Sequence, residues 1–232
     1  MANILVTGAS RGLGLEWVRQ CAERGWRVFA TCREPFEAGL LQRLVNDCTT
    51  VSMHPLDVAD PASVAALPQA LGEVAIDVLV HNAGVWLDRD PGIHLGNLDF
   101  TNWETTWRVN VMGPARVTQA LLPHVQRRSL RLVVGIGSDM GSIARATSPV
   151  SYAYRAGEAG LNALMHCMAF ELQRLGIGVL ILHPGWVRTA MGGSSATLSV
   201  EQSVAGMLQR VDAYRPEQSG RFFTWDGREL PW

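Results

Sequence analysis

The run Thr7-Gly8-Ala9-Ser10-Arg11-Gly12-Leu13-Gly14 has the composition of a turn that lets main chain approach a phosphate closely. Its glycines carry no Cβ to hold a ligand away, and the exposed N–H groups at the start of a following helix are donors aimed at an anion. The apolar Ile4-Leu5-Val6 before it and a helix-length segment after it supply the strand, turn and helix that a dinucleotide pyrophosphate site requires. Glycines also make ordinary tight turns, so the flanking elements carry the assignment. A site that selects a free ribose 2′-hydroxyl places an acid about 20 residues further on. Here the second strand ends Ala30-Thr31-Cys32-Arg33. Arg33 and Arg11 can pair with a 2′-phosphate through charge-assisted hydrogen bonds, so NADP(H) is favoured over NAD(H). The competing reading leaves both arginines solvated.

Other chemistries find less support. His81, His94, His124, His166 and His183 lack metal-ligand spacing and His54 sits beside Pro55, so no metal is expected. Ser138, His183 and an Asp could be drawn as a hydrolase triad, but no G-x-S-x-G elbow exists. His94, in an insertion over 86–98, and Asp139 are better suited to ordering loops than to proton transfer.

The elements that must position these residues recur regularly. Short β-rich runs at 4–7, 27–31, 50–55, 77–81, 130–136, 178–183 and 220–225 alternate with helix-length segments at 13–23, 37–46, 61–71, 102–127, 154–175 and 200–211. That alternation predicts one α/β doubly wound Rossmann domain over 1–232, a seven-stranded parallel sheet with helices on both faces. The ligand crevice would lie beyond the carboxyl ends of the strands. Leu161, Leu164, Met165, Met168 and Leu172 form a stripe at helical spacing suited to a core or a subunit interface.

Composition narrows the class further. With 232 residues, 47% of them hydrophobic, the chain suits a single core, and a net charge of −1 carries no footprint for nucleic acid or an anionic membrane. No apolar run approaches the roughly 20 residues that span a bilayer, and no signal peptide precedes the first strand, so a soluble, cytoplasmic protein is expected. Cys21, Cys32, Cys48 and Cys167 show no C-x-x-C spacing and read as small core hydrophobes in a reducing compartment. All 20 basic residues are Arg; the chain contains no Lys.

At this point the sequence resembles the short-chain dehydrogenase/reductase family over essentially its whole length. Beyond the first loop it has Leu56-Asp57-Val58, Asn82-Ala83-Gly84, Asn110 in a long helix, Ile136-Gly137-Ser138, Tyr152-Ala153-Tyr154, and His183-Pro184-Gly185-Trp186-Val187-Arg188-Thr189. The last of these and the ending Asp226-Gly227-Arg228-Glu229-Leu230-Pro231-Trp232 are most similar to the C-factor-like and sniffer-type carbonyl reductase subgroup. The resemblance implies hydride transfer between nicotinamide and a carbonyl or alcohol. Ser138 would polarise the carbonyl, Tyr154 would be the acid/base, and Asn110 would support the proton relay. It assigns cofactor contacts to Gly8, Ser10, Arg11, Gly12, Leu13, Gly14, Arg33, Asp57, Val58, Asn82, Ala83, Gly84, Tyr154, Pro184, Gly185, Val187 and Thr189, with a substrate loop at about 186–199. Tyr152 is a minor alternative to Tyr154. Trp86, Trp103, Trp107, Trp186 and Met191 would form an apolar wall, favouring a small hydrophobic substrate. Helices at 102–127 and 154–175 are those through which the family builds dimers and tetramers, so a homodimer or homotetramer is an expectation.

One departure stands out. The same alignment puts Glu158 where the family has its catalytic Lys, and Gly157 and Gly160 where it has Ser and Ala. The i to i+4 spacing keeps Tyr154 and Glu158 on one helical face while the sign of the charge reverses. At about 5 Å and an effective dielectric near 20, one charge moves the Tyr by roughly 3 kcal/mol, or about 2 pKa units. Slow turnover or an alkaline optimum is the expected consequence, unless Glu158 is protonated. Arg155 should point elsewhere, one residue around the helix; Arg89, Arg145 and Arg188 remain as cations near the crevice. Ala190 stands where the subgroup commonly has Asp. Two readings follow: an NADP(H)-dependent oxidoreductase with an atypical Tyr-x-x-x-Glu site, or an NADP(H)-binding protein of little turnover acting as a sensor, signalling or partner-binding module.

Overall fold

The computed structural model describes residues 1–127 and 131–232. Seven strands, β1 (Asn3–Val6), β2 (Arg27–Cys32), β3 (Val51–Pro55), β4 (Val78–His81), β5 (Leu132–Ile136), β6 (Gly178–His183) and β7 (Arg221–Thr224), form one sheet in the order β3-β2-β1-β4-β5-β6-β7. Every pairing is parallel. The helices between them are α1 (Gly12–Glu23), α2 (Gly39–Asp47), α3 (Pro61–Leu71), α4 (Phe100–Trp107), α5 (Gly113–Gln126), α6 (Tyr152–Arg174) and α7 (Val200–Asp212). Of the strand expected over 130–136, Leu130 lies outside the described residues.

Residues alternate between the two faces along each strand, so the sheet builds two cores. Ile4, Val6, Leu180 and Leu182 pack with Trp17, Leu41 and Met207 from α1, α2 and α7. Leu5, Val179 and Ile181 pack with Leu67, Leu121, Leu161 and Met165 from α3, α5 and α6. Leu161, Met165 and Leu172 of the predicted stripe are core residues; Leu164 and Met168 are half-buried at its margin. Strand order reverses at β1, which has β2 on one side and β4 on the other, and opens a crevice at the strands' carboxyl ends.

Local chemistry sets several element starts. Asp60 accepts from Ala62 N and Ser63 N ahead of Pro61, and Ser199 and Gln202 form a capping box on α7. The segment expected as one helix over 102–127 instead holds a π-turn, Arg108–Met112, between α4 and α5. The cysteines also differ from expectation. Cys21 and Cys32 are buried, but Cys48 is half-buried and Cys167 exposed, because α6 turns that residue away from the sheet.

Candidate active site

A cleft of about 970 Å³ runs along the carboxyl ends of the strands. At one end lies the loop after β1, where Gly8 and Gly12 have φ of +68° and +56°. A Cβ on Gly8 would stand 2.8 Å from Ala83 Cα and one on Gly14 2.2 Å from the Gly8 carbonyl oxygen, so side chains are excluded by the loop's own packing. Asn82 ties the loop to β4: its Nδ2 donates to Thr7 O (3.0 Å) and Gly8 O (3.1 Å), and its N–H donates to Thr7 Oγ1 at 3.0 Å. No side chain caps the N-terminus of α1 and no acid lies in its first turn, leaving its amides for an anionic group.

Gly8, Ser10, Arg11, Gly12, Leu13, Gly14 and Arg33 line this end, with Asp57 and Val58 beside them. Arg43, on α2, joins Arg11 and Arg33 there. Its place was not legible, because the helix face it occupies depends on how α2 packs. Asn82, Ala83 and Gly84 continue the wall, and Pro184 and Thr189 close the far side. Gly185 and Val187 stand outside the lining, Gly185 against Leu198 and Trp225, Val187 buried and bridged to Leu198. These glycines, the open helix end and the cations fit a dinucleotide phosphate.

The inner end gathers Asn110, Tyr154 and Glu158, all buried; Ser138, also buried, stands outside the lining, its Oγ accepting from Met140 N at 3.2 Å. The π-turn places Asn110 so that its Oδ1 accepts from Val85 N (2.9 Å) while its Nδ2 donates to Val85 O and to Glu158 Oε1, both at 3.0 Å. Tyr154 is held well above the usual phenol pKa by burial first and the Glu158 charge second, opposed by a side-chain hydrogen bond with Ser138. Burial pushes the Glu158 carboxyl up to about 8 against the pull of Asn110 and of the Ser138 backbone; even so, its Oε2 has no hydrogen-bond partner. Burial thus favours the neutral form of this acid. Of the two states the sequence left open for Glu158, burial favours the protonated one.

Gly157 and Gly160 have a packing reason. A Cβ on Gly157 would lie 3.2 Å from Thr106 Cγ2, and one on Gly160 3.0 Å from the Trp107 ring, so their helix cost permits close approach of α4 to α6. Trp107 thus belongs to a helix interface. Neither it nor Trp103 nor Trp186 lines the cleft, whereas Trp86 and Met191 do. The expected five-residue wall reduces to two members, joined by Leu87.

Sequence reasoning missed the cap over this corner. Asp88, buried, accepts from Ala153 N at 2.7 Å and Tyr154 N at 3.3 Å, capping α6 from the loop after β4. Trp86 stacks on Tyr154 with ring centroids 4.9 Å apart and donates from Nε1 to Ser151 Oγ at 3.1 Å. Arg89 lies over Trp86 and donates to Ala190 O at 3.1 Å, joining the cap to the loop after β6. An N-cap 65 residues away in sequence leaves no local signal. Asp88→Ala should lower stability by about 1–3 kcal/mol, because two buried amides lose their acceptor. Urea unfolding measures it; a variant as stable as wild type would show that Trp86 and Ser151 hold the helix start instead.

The side chains of the remaining candidates are engaged elsewhere. Arg155 Nε donates to Val150 O at 3.2 Å, pointing away as expected, and Arg145 pairs with Asp139 at 3.5 Å. Asp139 N donates to His183 Nδ1 at 3.1 Å, and His94 orders its own loop through Asn97 and Gly96. Arg188 lines the cleft but donates to Ala196 O and Thr197 O, bracing the loop between β6 and α7. Among the described residues no cluster of His, Cys, Asp or Glu could hold a metal, and no helix is long and apolar enough to cross a membrane.

Known proteins share this fold. The NADPH-bound carbonyl reductase from chicken fatty liver superposes with a TM-score of 0.93 at 31% identity, covering 100% of this chain and 99% of that one. Carbonyl reductase Sniffer of D. melanogaster gives 0.91 at 28% identity, with both chains fully covered. C-signal of Myxococcus xanthus is 44% identical over 160 residues, 68% of this chain and 93% of that protein. With residues 2–198 matching the family described as short chain dehydrogenase, around a sheet and cleft of that design, the chain belongs to the short-chain dehydrogenase family of oxidoreductases.

Proposed function

We propose that this protein is a cytoplasmic NADP(H)-dependent oxidoreductase interconverting small hydrophobic carbonyl compounds and alcohols. The observation that carries this reading is Tyr154, beside Asn110 and Glu158, at the inner end of a cleft whose outer end holds the glycine loop, Arg11 and Arg33. Held by the glycine loop and the Asn82–Gly84 wall, a nicotinamide cofactor would supply the hydride. Ser138 donates a hydrogen bond to the carbonyl oxygen, and Tyr154 passes its proton to that oxygen as negative charge develops there. Asn110 holds the β4 loop and Glu158 in register. Trp86, Leu87 and Met191 make the substrate side apolar, and NADPH in the chicken carbonyl reductase supports the choice of cofactor. Four free cysteines suit a reducing compartment, and a homodimer or homotetramer remains the assembly that the family resemblance supports.

Glu158 favours a second reading, in which the protein binds NADP(H) but turns over little and serves as a sensor or partner-binding module. Single-turnover NADPH oxidation with a panel of aldehydes and ketones, alongside nicotinamide fluorescence for binding, separates the two. The reductase reading expects oxidation by the native chain. Binding without oxidation in the native chain, restored by Glu158→Lys, establishes the second reading. Arg33→Ala is expected to weaken NADPH about tenfold while leaving NADH nearly unchanged, the loss of one charge-assisted bond. Equal weakening of both would remove the 2′-phosphate assignment.

A further inference from the structure

Two buried polar atoms beside the acid–base corner lack partners: Glu158 Oε2 and Asn162 Oδ1. They lie one turn apart on α6, and Glu158 is 4% exposed, Asn162 2%. Both oxygens stand over Gly137, where a Cβ would lie 3.3 Å from Asn162 Oδ1 and 3.7 Å from Glu158 Oε2. Gly141 seals the same side, since a Cβ there would meet the Glu158 backbone carbon at 2.7 Å. Two acceptors set together out of solvent are unfavourable unless a hydrogen lies between them.

The orientations of both groups are held from outside. Asn162 Nδ2 donates to Gly141 O at 3.4 Å, so turning the amide over would set its oxygen against that carbonyl. Glu158 Oε1 is engaged by Asn110 Nδ2, which places any carboxyl proton on Oε2. We propose that Glu158 works as a neutral carboxylic acid, a positioning residue whose Oε2–H donates to Asn162 Oδ1 and keeps charge away from the Tyr154 hydroxyl. One hydrogen then satisfies both orphaned atoms. The importance of Glu158 to Tyr154 rests on the reductase reading; its protonation does not.

Titratable groups around the pair bring no compensating cation. Tyr154 lies one turn earlier on α6, Asp139 follows Ser138 after β5 with Arg145 and His183 on its far side, and Asp88 faces the helix start from the β4 loop. Desolvation dominates the titration of Glu158, and no charged neighbour contributes to it appreciably.

Infrared difference spectroscopy of the intact protein against Glu158→Gln tests this. A protonated-carboxyl C=O band is expected at pH 7, absent from the Gln variant, sensitive to deuteration and fading above about pH 8. Asn162→Ala should move the band to higher frequency; if that variant does not fold, Asn162→Leu takes its place. A missing band overturns the proposal, showing an ionised carboxylate with its hydrogens supplied from elsewhere. A band indifferent to Asn162 overturns the pairing. If the band behaves as expected but no carbonyl is reduced, the neutral acid stands and the reductase reading fails. In a working reductase the rate should fall about tenfold per pH unit once the band is lost, a limb that Glu158→Gln removes. A rate that instead rises as the band fades overturns the role toward Tyr154.

Discussion

Tyr154→Phe should reduce single-turnover NADPH oxidation about a thousandfold while leaving NADPH binding within about twofold, the span of a lost general acid. The phenyl ring retains the stack on Trp86, 4.9 Å between centroids, and the backbone N–H still donates to Asp88, so the helix start and the wall survive. What disappears is the hydroxyl at the inner end of the cleft. Ser138→Ala should cost less, because Tyr154 can still deliver its proton to a carbonyl that is less firmly held. Stopped-flow absorbance with the best carbonyl of the panel gives the rate, and fluorescence titration gives the affinity. Residual turnover near wild type would move the acid role off Tyr154. Tyr152, at the first position of α6 and only half-buried, would then be examined by the same substitution.

The second large effect is on stability. Glu158 has a folded-state pKa of about 8 against an ordinary 4.5, so between those values the native state binds a proton that the unfolded state has released. Its contribution is fully present below pH 4.5 and is lost as pH rises toward 8, amounting at most to roughly 5 kcal/mol. His81 acts in the opposite sense. Burial lowers it from 6.5 to about 3, so its contribution is present above 6.5 and is lost as pH falls through the acid range. The two slopes oppose one another between 4.5 and 6.5, which leaves the Glu158 slope exposed from 6.5 to 8. Urea midpoints at half-unit pH steps should therefore fall over that interval in the native chain and stay level in Glu158→Gln. Parallel curves for the two chains would mean that Glu158 ionises in the folded state as it does in the unfolded one.

The legible parts of this protein were those whose cause is local. Gly8, Gly12 and Gly14 could be read because a tight loop between a strand and a helix excludes Cβ atoms wherever it occurs. The seven parallel strands were legible because runs such as Val78–His81 and Gly178–His183 are apolar on both faces. Boundaries moved by one or two residues where capping decides them, as at Tyr152, which begins α6 after Ser151 in a left-handed conformation with φ of 56°. The tryptophans were misassigned for the opposite reason. Trp107 and Trp86 are chemically alike, and only the approach of α4 to Gly160 sends one into a helix interface while the β4 loop sends the other into the cleft.

The sequence by itself determined the fold class, the glycine loop after the first strand, the absence of any Lys and the placing of Glu158 one turn after Tyr154. Each follows from composition, from short-range spacing or from a family resemblance in ordered motifs. Tertiary structure decided what those residues are. Glu158 is shifted toward its neutral form because Gly137, Gly141 and Asn110 enclose it, and the start of the Tyr154 helix is capped by Asp88 because a loop more than 60 residues away folds over it. Protonation and end-capping depend on which groups meet out of water, and that is a property of long-range packing that adjacency in the chain does not contain.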